Sequence, residues 1–143
     1  MLQSSKFCVR GIGLLDLGNP EARAWITERV AGLIGSAGID HYRQDMNFDP
    51  LRFWQEKDEP GRRGVTEARY VAGKYAYLDG LRARFPHLTI GGCAGGGRET
   101  DIEAYRRTQM NSRADGLLLA AGGAVMFALA CLFCIEDHEW DIA

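Results

Sequence analysis

The chain has 143 residues, of which 46% are hydrophobic and 25% are charged, and these proportions are typical of a globular domain with a real core. The formal net charge of −2 gives no basic surface for nucleic acid, and no run of like charges predicts an electrostatic tail. Residues 1–10 are too short and too polar for a secretory signal. We therefore expect a cytoplasmic domain that binds no nucleic acid.

The first part of the chain predicts a strand, a helix and a second strand. Residues 11–17 form a short apolar run that favours a buried strand. Asn19 is a good helix cap, and the helix that follows should extend from Pro20 to about Ala37 and end at Gly38. Residues 39–45 predict the second strand.

The middle of the chain continues this alternation after a long polar segment. Residues 48–66 predict a loop, and a loop of that length inside a compact unit usually has a function. Its Trp54 could stack on a sugar or simply pack. Residues 67–85 predict a second long helix, residues 88–92 a third strand and residues 101–110 a short charged helix. Strands that alternate with helices predict an α/β fold with parallel strands and a site at their carboxyl ends.

A cation, an acid and an amide alternate at the end of the second predicted strand. Arg43, Asp45 and Asn47 would share one face of that strand, because successive side chains point to opposite sides. Together they suit a site for sugar hydroxyls, with Arg43 favouring the ionised carboxylate. Asp115 is a second, well separated acid, and two carboxylates are the minimum for glycoside hydrolysis. The alternative is that Asp45 is an ordinary strand-end acid paired with Arg43.

A glycine-rich turn, residues 91–98, follows the third predicted strand. Glycines there would let the backbone approach a substrate closely. The alternative is a phosphate held on backbone N–H groups, but the turn has neither the lysine nor the glycine spacing of the known phosphate loops.

Three blocks of sequence resemble the catalytic barrel of glycoside hydrolase family 36, the α-galactosidases. They are LLDLGNPEARAW at 14–25, YRQDMNFDP at 42–50 with GVTEARYVAGKYAYLDGL downstream, and FPHLTIGGCAGGGRETDIEAYRRT at 85–108. The resemblance covers about 11–115 and implies part of a TIM (β/α)8 barrel. It implies a retaining hydrolase of terminal α-galactosides that needs no cofactor and no metal ion.

The resemblance also implies roles for individual residues. Asp45 matches the nucleophile, and Asp115 falls where the acid/base is expected. Arg43 would bind sugar hydroxyls, and Asn47 would position the ring. The residues expected in the turn against the sugar are Cys93, Gly96 and Arg98. The implied partner is an α-galactoside oligosaccharide, and the oligomeric state is left open.

The chain departs from the family pattern at several positions. Gly92 replaces the usual asparagine and Gly95 a common serine, and neither the tryptophan nor the serine usual before the acid/base precedes Asp115. A complete barrel takes roughly 250 residues, whereas this chain supplies three clear βα units. The alternatives are therefore a related α-glycosidase, such as an α-N-acetylgalactosaminidase, and a truncated, non-catalytic remnant.

The C-terminal part carries an uncharged apolar run at 117–135, which we expect within a helical segment, 116–135, ahead of an acidic tail, 136–143. A run of that length could cross a bilayer, so a membrane anchor is one interpretation. The others are a buried core segment and a tail unrelated to the barrel. Cys131 and Cys134 within it are more simply two small apolar residues than a zinc or redox pair.

Overall fold

The computed structural model describes residues 13–46, 48–94, 101–111 and 134–135. The strands are β1 (Gly13–Leu14), β2 (His41–Gln44), β3 (Thr89–Gly92), β4 (Met110–Asn111) and β5 (Cys134–Ile135). The helices are α1 (Pro20–Ala37), α2 (Leu51–Gln55), α3 (Val65–Arg84) and α4 (Ile102–Arg107).

Helix α1 has the bounds that the sequence predicts, because local capping fixes both of its ends. The side chain of Asn19 accepts a hydrogen bond from the N–H of Glu21 at 2.9 Å, which satisfies one of the unpaired donors of the first turn. Gly38 ends the helix with a φ of 63°, a left-handed conformation in which glycine has no steric penalty. Its N–H donates to the carbonyl of Ile34.

The strands β2, β3 and β4 form a parallel sheet in which β3 is central, and the predicted parallel arrangement is thereby confirmed. Tyr42 pairs with Ile90 and Gln44 with Gly92, so the carboxyl ends of β2 and β3 are level. The short strands β1 and β5 pair separately and are antiparallel.

The core lies between this sheet and the helices α1 and α3. It includes Tyr42 and Ile90 from the sheet and buried residues from both helices. Gly73 brings α3 close to the chain after β1, since a Cβ atom at this position would lie 1.9 Å from the carbonyl oxygen of Leu17. The two helices also contact each other along their length.

The structure corrects the predicted extent of four segments. The predicted loop 48–66 contains helix α2, because Asp49 accepts the N–H of Leu51 at 3.1 Å and the buried side chains of Phe53 and Trp54 fix a turn of helix. Helix α3 begins at Val65 and α4 ends at Arg107, earlier than predicted in each case. Of residues 13–17, the described part of the first predicted strand, only Gly13–Leu14 is a strand.

The predicted apolar helix at 116–135 is wrong at its last two residues. Cys134–Ile135 is a strand that pairs with Gly13–Leu14, since backbone pairing with another segment takes the place of helical hydrogen bonds there. The rest of that predicted helix, and the predicted tail 136–143, lie outside the described residues. Within the described ranges, no helix is both long and apolar enough to span a bilayer.

Candidate active site at the carboxyl ends of β2 and β3

Arg43 and Asp45 form an ion pair at the carboxyl end of β2. The Nη2 atom of Arg43 donates to Oδ2 of Asp45 at 3.0 Å, and the two side chains are only 13% and 10% exposed. This confirms that the alternation of the strand places both on one face. An ion pair with so little solvent contact has a fixed geometry, so the carboxylate is held in one orientation.

The second oxygen of this carboxylate has no partner. Oδ1 of Asp45 is buried and accepts no hydrogen bond from the described residues. An unsatisfied buried acceptor costs about 1–3 kcal/mol, so this oxygen calls for an explanation, of which a catalytic role is one.

Cys93 lies beside Asp45 on the neighbouring strand. The ladder of β2 and β3 pairs Arg43 with Gly91, and it continues past the strand ends because the N–H of Cys93 donates to the carbonyl of Gln44 at 2.9 Å. Two residues further along both strands, the same register places Cys93 opposite Asp45. Cys93 is buried but lies outside the contiguous cluster of core residues, whereas its neighbour Ala94 is part of it. The thiol therefore belongs to the face that carries Arg43 and Asp45.

The other residues named for the site lie outside the described residues. Asn47, Gly96, Arg98 and Asp115 fall there, and their positions stay predictions. The structure thus brings together Arg43, Asp45 and Cys93 from the predicted set.

Asp101, the first described residue after the glycine turn, makes polar contacts that the sequence did not reveal. Asp101 caps α4 by accepting the N–H of Ala104 at 2.8 Å through Oδ1, and its Oδ2 accepts the hydroxyl of Tyr75 at 2.7 Å. Burial alone would raise the pKa of Asp101, but the hydrogen bonds from Tyr75 and Ala104 lower it below its usual value. Burial, together with the hydrogen bond to Asp101, raises the pKa of Tyr75 to about 12. This contact joins α3 to the start of α4.

The same helices are joined a second time by Arg107. Its guanidinium pairs with Asp79 at 2.9 Å and with Glu103 at 2.7 Å, and it lies 4.7 Å from the ring centre of Tyr75. Ion pairs and a cation–π contact on one side chain hold α4 against α3. Cys93 and Asp101, which lie on either side of the glycine turn, are therefore each held by a hydrogen bond.

Comparison with known proteins agrees with this geometry. Residues 3–114 match the model of the family described as Melibiase. The chain is 33% identical over 98 residues to α-galactosidase Mel36A of Lactobacillus acidophilus, and 35% identical over 96 residues to an α-galactosidase of Escherichia coli. These alignments cover 68% and 66% of the chain and 13% of each relative.

The fold is similar to those of solved family 36 α-galactosidases. The enzyme AgaA from Geobacillus stearothermophilus, solved in complex with stachyose, matches with a TM-score of 0.61 and 26% identity over 70% of this chain and 14% of that one. The chain belongs to the melibiase family and corresponds to a segment of the family 36 α-galactosidases, which confirms the resemblance found in its sequence. It spans about 13% of the length of the curated relatives that it matches.

Proposed function

We propose that the chain is part of a retaining α-galactosidase in which Asp45 is the nucleophile. The observation that carries the proposal is the buried ion pair of Arg43 and Asp45 at the carboxyl end of β2, in which one carboxylate oxygen has no partner among the described residues. The parallel strands β2, β3 and β4, covered by helices, are the arrangement expected for part of a (β/α)8 barrel, whose sites lie at the carboxyl ends of the strands.

The proposed reaction is a double displacement. Asp45 attacks the anomeric carbon of a terminal galactose and the glycosidic bond breaks, while Asp115 gives its proton to the leaving oxygen. Asp115 then takes a proton from water, which attacks the same carbon and releases galactose and the free Asp45 carboxylate. The two carboxyl groups would stand about 5–5.5 Å apart. Neither step needs a metal ion or a cofactor.

The remaining proposed roles concern the hydroxyls of the galactose. Arg43 would orient the carboxylate of Asp45 and also bind a hydroxyl, and Asn47 would position the ring. The turn residues proposed to lie against the sugar are Cys93, Gly96 and Arg98. Gly91, which pairs with Arg43, adds no side chain to this face and so leaves room beside the guanidinium.

The proposed substrates are α-galactoside oligosaccharides. The neighbouring AgaA structures were solved with stachyose, with raffinose and with 1-deoxygalactonojirimycin. A chain of the same family, with a buried ion pair at the carboxyl end of its sheet, should accept the same terminal sugar. Because this chain spans a small share of those enzymes, binding and turnover need separate tests.

The first test is binding of 1-deoxygalactonojirimycin to the 143-residue chain by isothermal titration calorimetry. Asp45→Asn should lower the affinity by at least about tenfold, since a charged hydrogen bond contributes about 1.5–3 kcal/mol. Asp40→Asn is the matched control, because Asp40 lies just before the other end of β2 with its side chain 76% exposed, and it should bind as the wild type does. Equal binding by both variants would contradict the assignment of Asp45.

The second test separates a nucleophile from a merely structural acid. Wild-type protein should hydrolyse an aryl α-galactoside, and Asp45→Ala should lose this activity. Sodium azide should restore turnover in that variant, because the small anion takes the space of the carboxylate and forms a β-galactosyl azide. Turnover without that product would overturn the proposed role.

The acid/base role of Asp115 can be tested by comparing substrates with different leaving groups. Asp115→Ala should slow cleavage of raffinose far more than that of an activated aryl galactoside, whose phenolate leaves without a proton. Equal losses on both substrates would contradict an acid/base role. Faster hydrolysis of an aryl α-N-acetylgalactosaminide would favour the related glycosidase, and absence of both binding and turnover would favour the non-catalytic remnant.

A further inference from the structure

A cavity of about 410 Å³ lies beside the carboxyl ends of β2 and β3, on the side opposite to the Arg43–Asp45 pair. Met46 and Ala94 form its wall on the sheet side, and both belong to the hydrophobic core that faces the helices. Arg43, Asp45 and Cys93 do not line it. The cavity is therefore separate from the proposed catalytic face, and its size is within the range of small-molecule sites.

The lining combines aromatic rings with carboxylates. The aromatic residues are Phe48, Trp54 and Tyr75, and the ionisable residues are Asp49, Glu67, Lys74 and Asp101. Aromatic faces pack against the C–H faces of a sugar ring, and carboxylates accept hydrogen bonds from its hydroxyls. The same combination is a poor fit for a wholly apolar ligand.

An unsatisfied donor lies in this wall. Trp54 is 7% exposed and its ring packs on Tyr70 at a centroid distance of 5.1 Å, so the indole is fixed in place. Its Nε1–H is buried and meets no acceptor in the part of the chain that the structure describes. Because this N–H is sealed from solvent, the indole contributes its ring to the cavity wall and no hydrogen bond to a ligand.

The charges in the wall favour a neutral ligand over an anion. Three carboxylates and one amine line the cavity. Burial lowers the pKa of the amine, on Lys74, to about 8, although the charge of nearby Asp101 partly opposes this shift. Both oxygens of Asp101 already accept hydrogen bonds, from Tyr75 and Ala104. Asp49 and Glu67 are exposed at the cavity and can accept hydrogen bonds from the hydroxyls of a ligand.

We propose that this cavity is a second sugar site, which takes one neutral hexose unit between the aromatic rings of its wall and the carboxylates of Asp49 and Glu67. The site lies behind the strand that carries Asp45 and does not depend on hydrolysis. A hexose has C–H faces that pack on aromatic rings and hydroxyls that donate hydrogen bonds to carboxylates, so it matches both parts of the lining.

The test is a titration of the isotopically labelled 143-residue protein with D-galactose, followed by NMR. The indole N–H resonance of Trp54, assigned by its loss in Trp54→Phe, reports the cavity, and the backbone N–H of Asp45 reports the catalytic face. We expect a saturable shift of the indole resonance with a dissociation constant of about 1 mM, retained in Asp45→Asn. A failed galactosidase assay or an unmoved Asp45 resonance would leave this result intact.

Two variants sharpen the test. Trp54→Phe replaces the indole by a smaller ring, so galactose affinity, measured from the Ala94 resonance, should fall about fivefold through the lost aromatic contact. Glu67→Gln should also weaken binding, whereas Glu59→Gln should not, since exposed Glu59 does not line the cavity. An indole resonance that ignores galactose at about 100 mM, or that shifts with phosphate or acetate instead, would overturn the proposal.

Discussion

The two faces of strand β2 differ in how completely their polar groups are satisfied. On the core face, the hydroxyl of Tyr42 is buried and forms a hydrogen bond of 2.8 Å with that of Tyr77. Burial raises the pKa of Tyr42 to about 12 and that of Tyr77 well above its usual value, so both stay neutral. On the other face, Arg43 satisfies only one oxygen of Asp45. Alternate residues of one short strand therefore serve stability on one side and, in the proposed function, chemistry on the other.

This comparison predicts that changes behind the core face reduce stability most. Gly73→Ala in α3 would set a Cβ atom 1.9 Å from the carbonyl oxygen of Leu17 and 2.5 Å from its carbon, and backbone atoms there cannot rotate away. We expect a loss of about 3 kcal/mol in the free energy of unfolding, measured by urea denaturation.

Gly32→Ala is the matched control for this substitution. Gly32 is also helical, but it is exposed, and a Cβ atom there meets nothing within 4 Å. Alanine should therefore leave stability unchanged or raise it by up to about 1 kcal/mol, as helix propensity requires. Equal effects of the two substitutions would show that α3 does not pack on the chain after β1 in solution.

Local signals in the sequence were enough to predict part of this fold. The ends of α1 depend on Asn19, Pro20 and Gly38, which act on their own turns of helix. The pairing of Arg43 with Asp45 follows from the alternation of a strand, which places residues two positions apart on one face, so it too was predictable.

Contacts between distant segments could not be predicted in the same way. The close approach of Gly73 to Leu17 leaves no periodic pattern, and neither does the hydrogen bond between Tyr75 and Asp101. Strand β4 is two residues long, too short for an alternation to show, and the side chain of Gln109 just before it accepts the N–H of Ile90 at 2.8 Å. Such features depend on tertiary pairing, which a single sequence does not display.

A smaller effect is expected on the catalytic face. Arg43→Gln would leave the carboxylate of Asp45 buried without its cation, and we expect a loss of about 2 kcal/mol in the free energy of unfolding. Removing both charges, in Arg43→Gln with Asp45→Asn, should restore most of that loss, because no uncompensated charge remains. Urea denaturation of both proteins measures the difference. A double variant that is less stable than Arg43→Gln would mean that the pair is a structural element, and the contrast between the faces would fail.

The smallest effect should come from the hydroxyl pair on the core face. Tyr77→Phe removes one hydroxyl, so the buried hydroxyl of Tyr42 loses its hydrogen bond to that group. We expect the free energy of unfolding to fall by about 1.5 kcal/mol. Tyr42→Phe with Tyr77→Phe should lie closer to the wild type, since two apolar rings leave neither hydroxyl to desolvate. The edge-on packing of the rings, with centroids 6.4 Å apart, would be kept in both variants. Galactoside binding should be unchanged in the double variant, whereas it should be lost with Asp45. If the two tyrosine variants weakened binding as much as Asp45→Asn does, the faces would be coupled rather than separate.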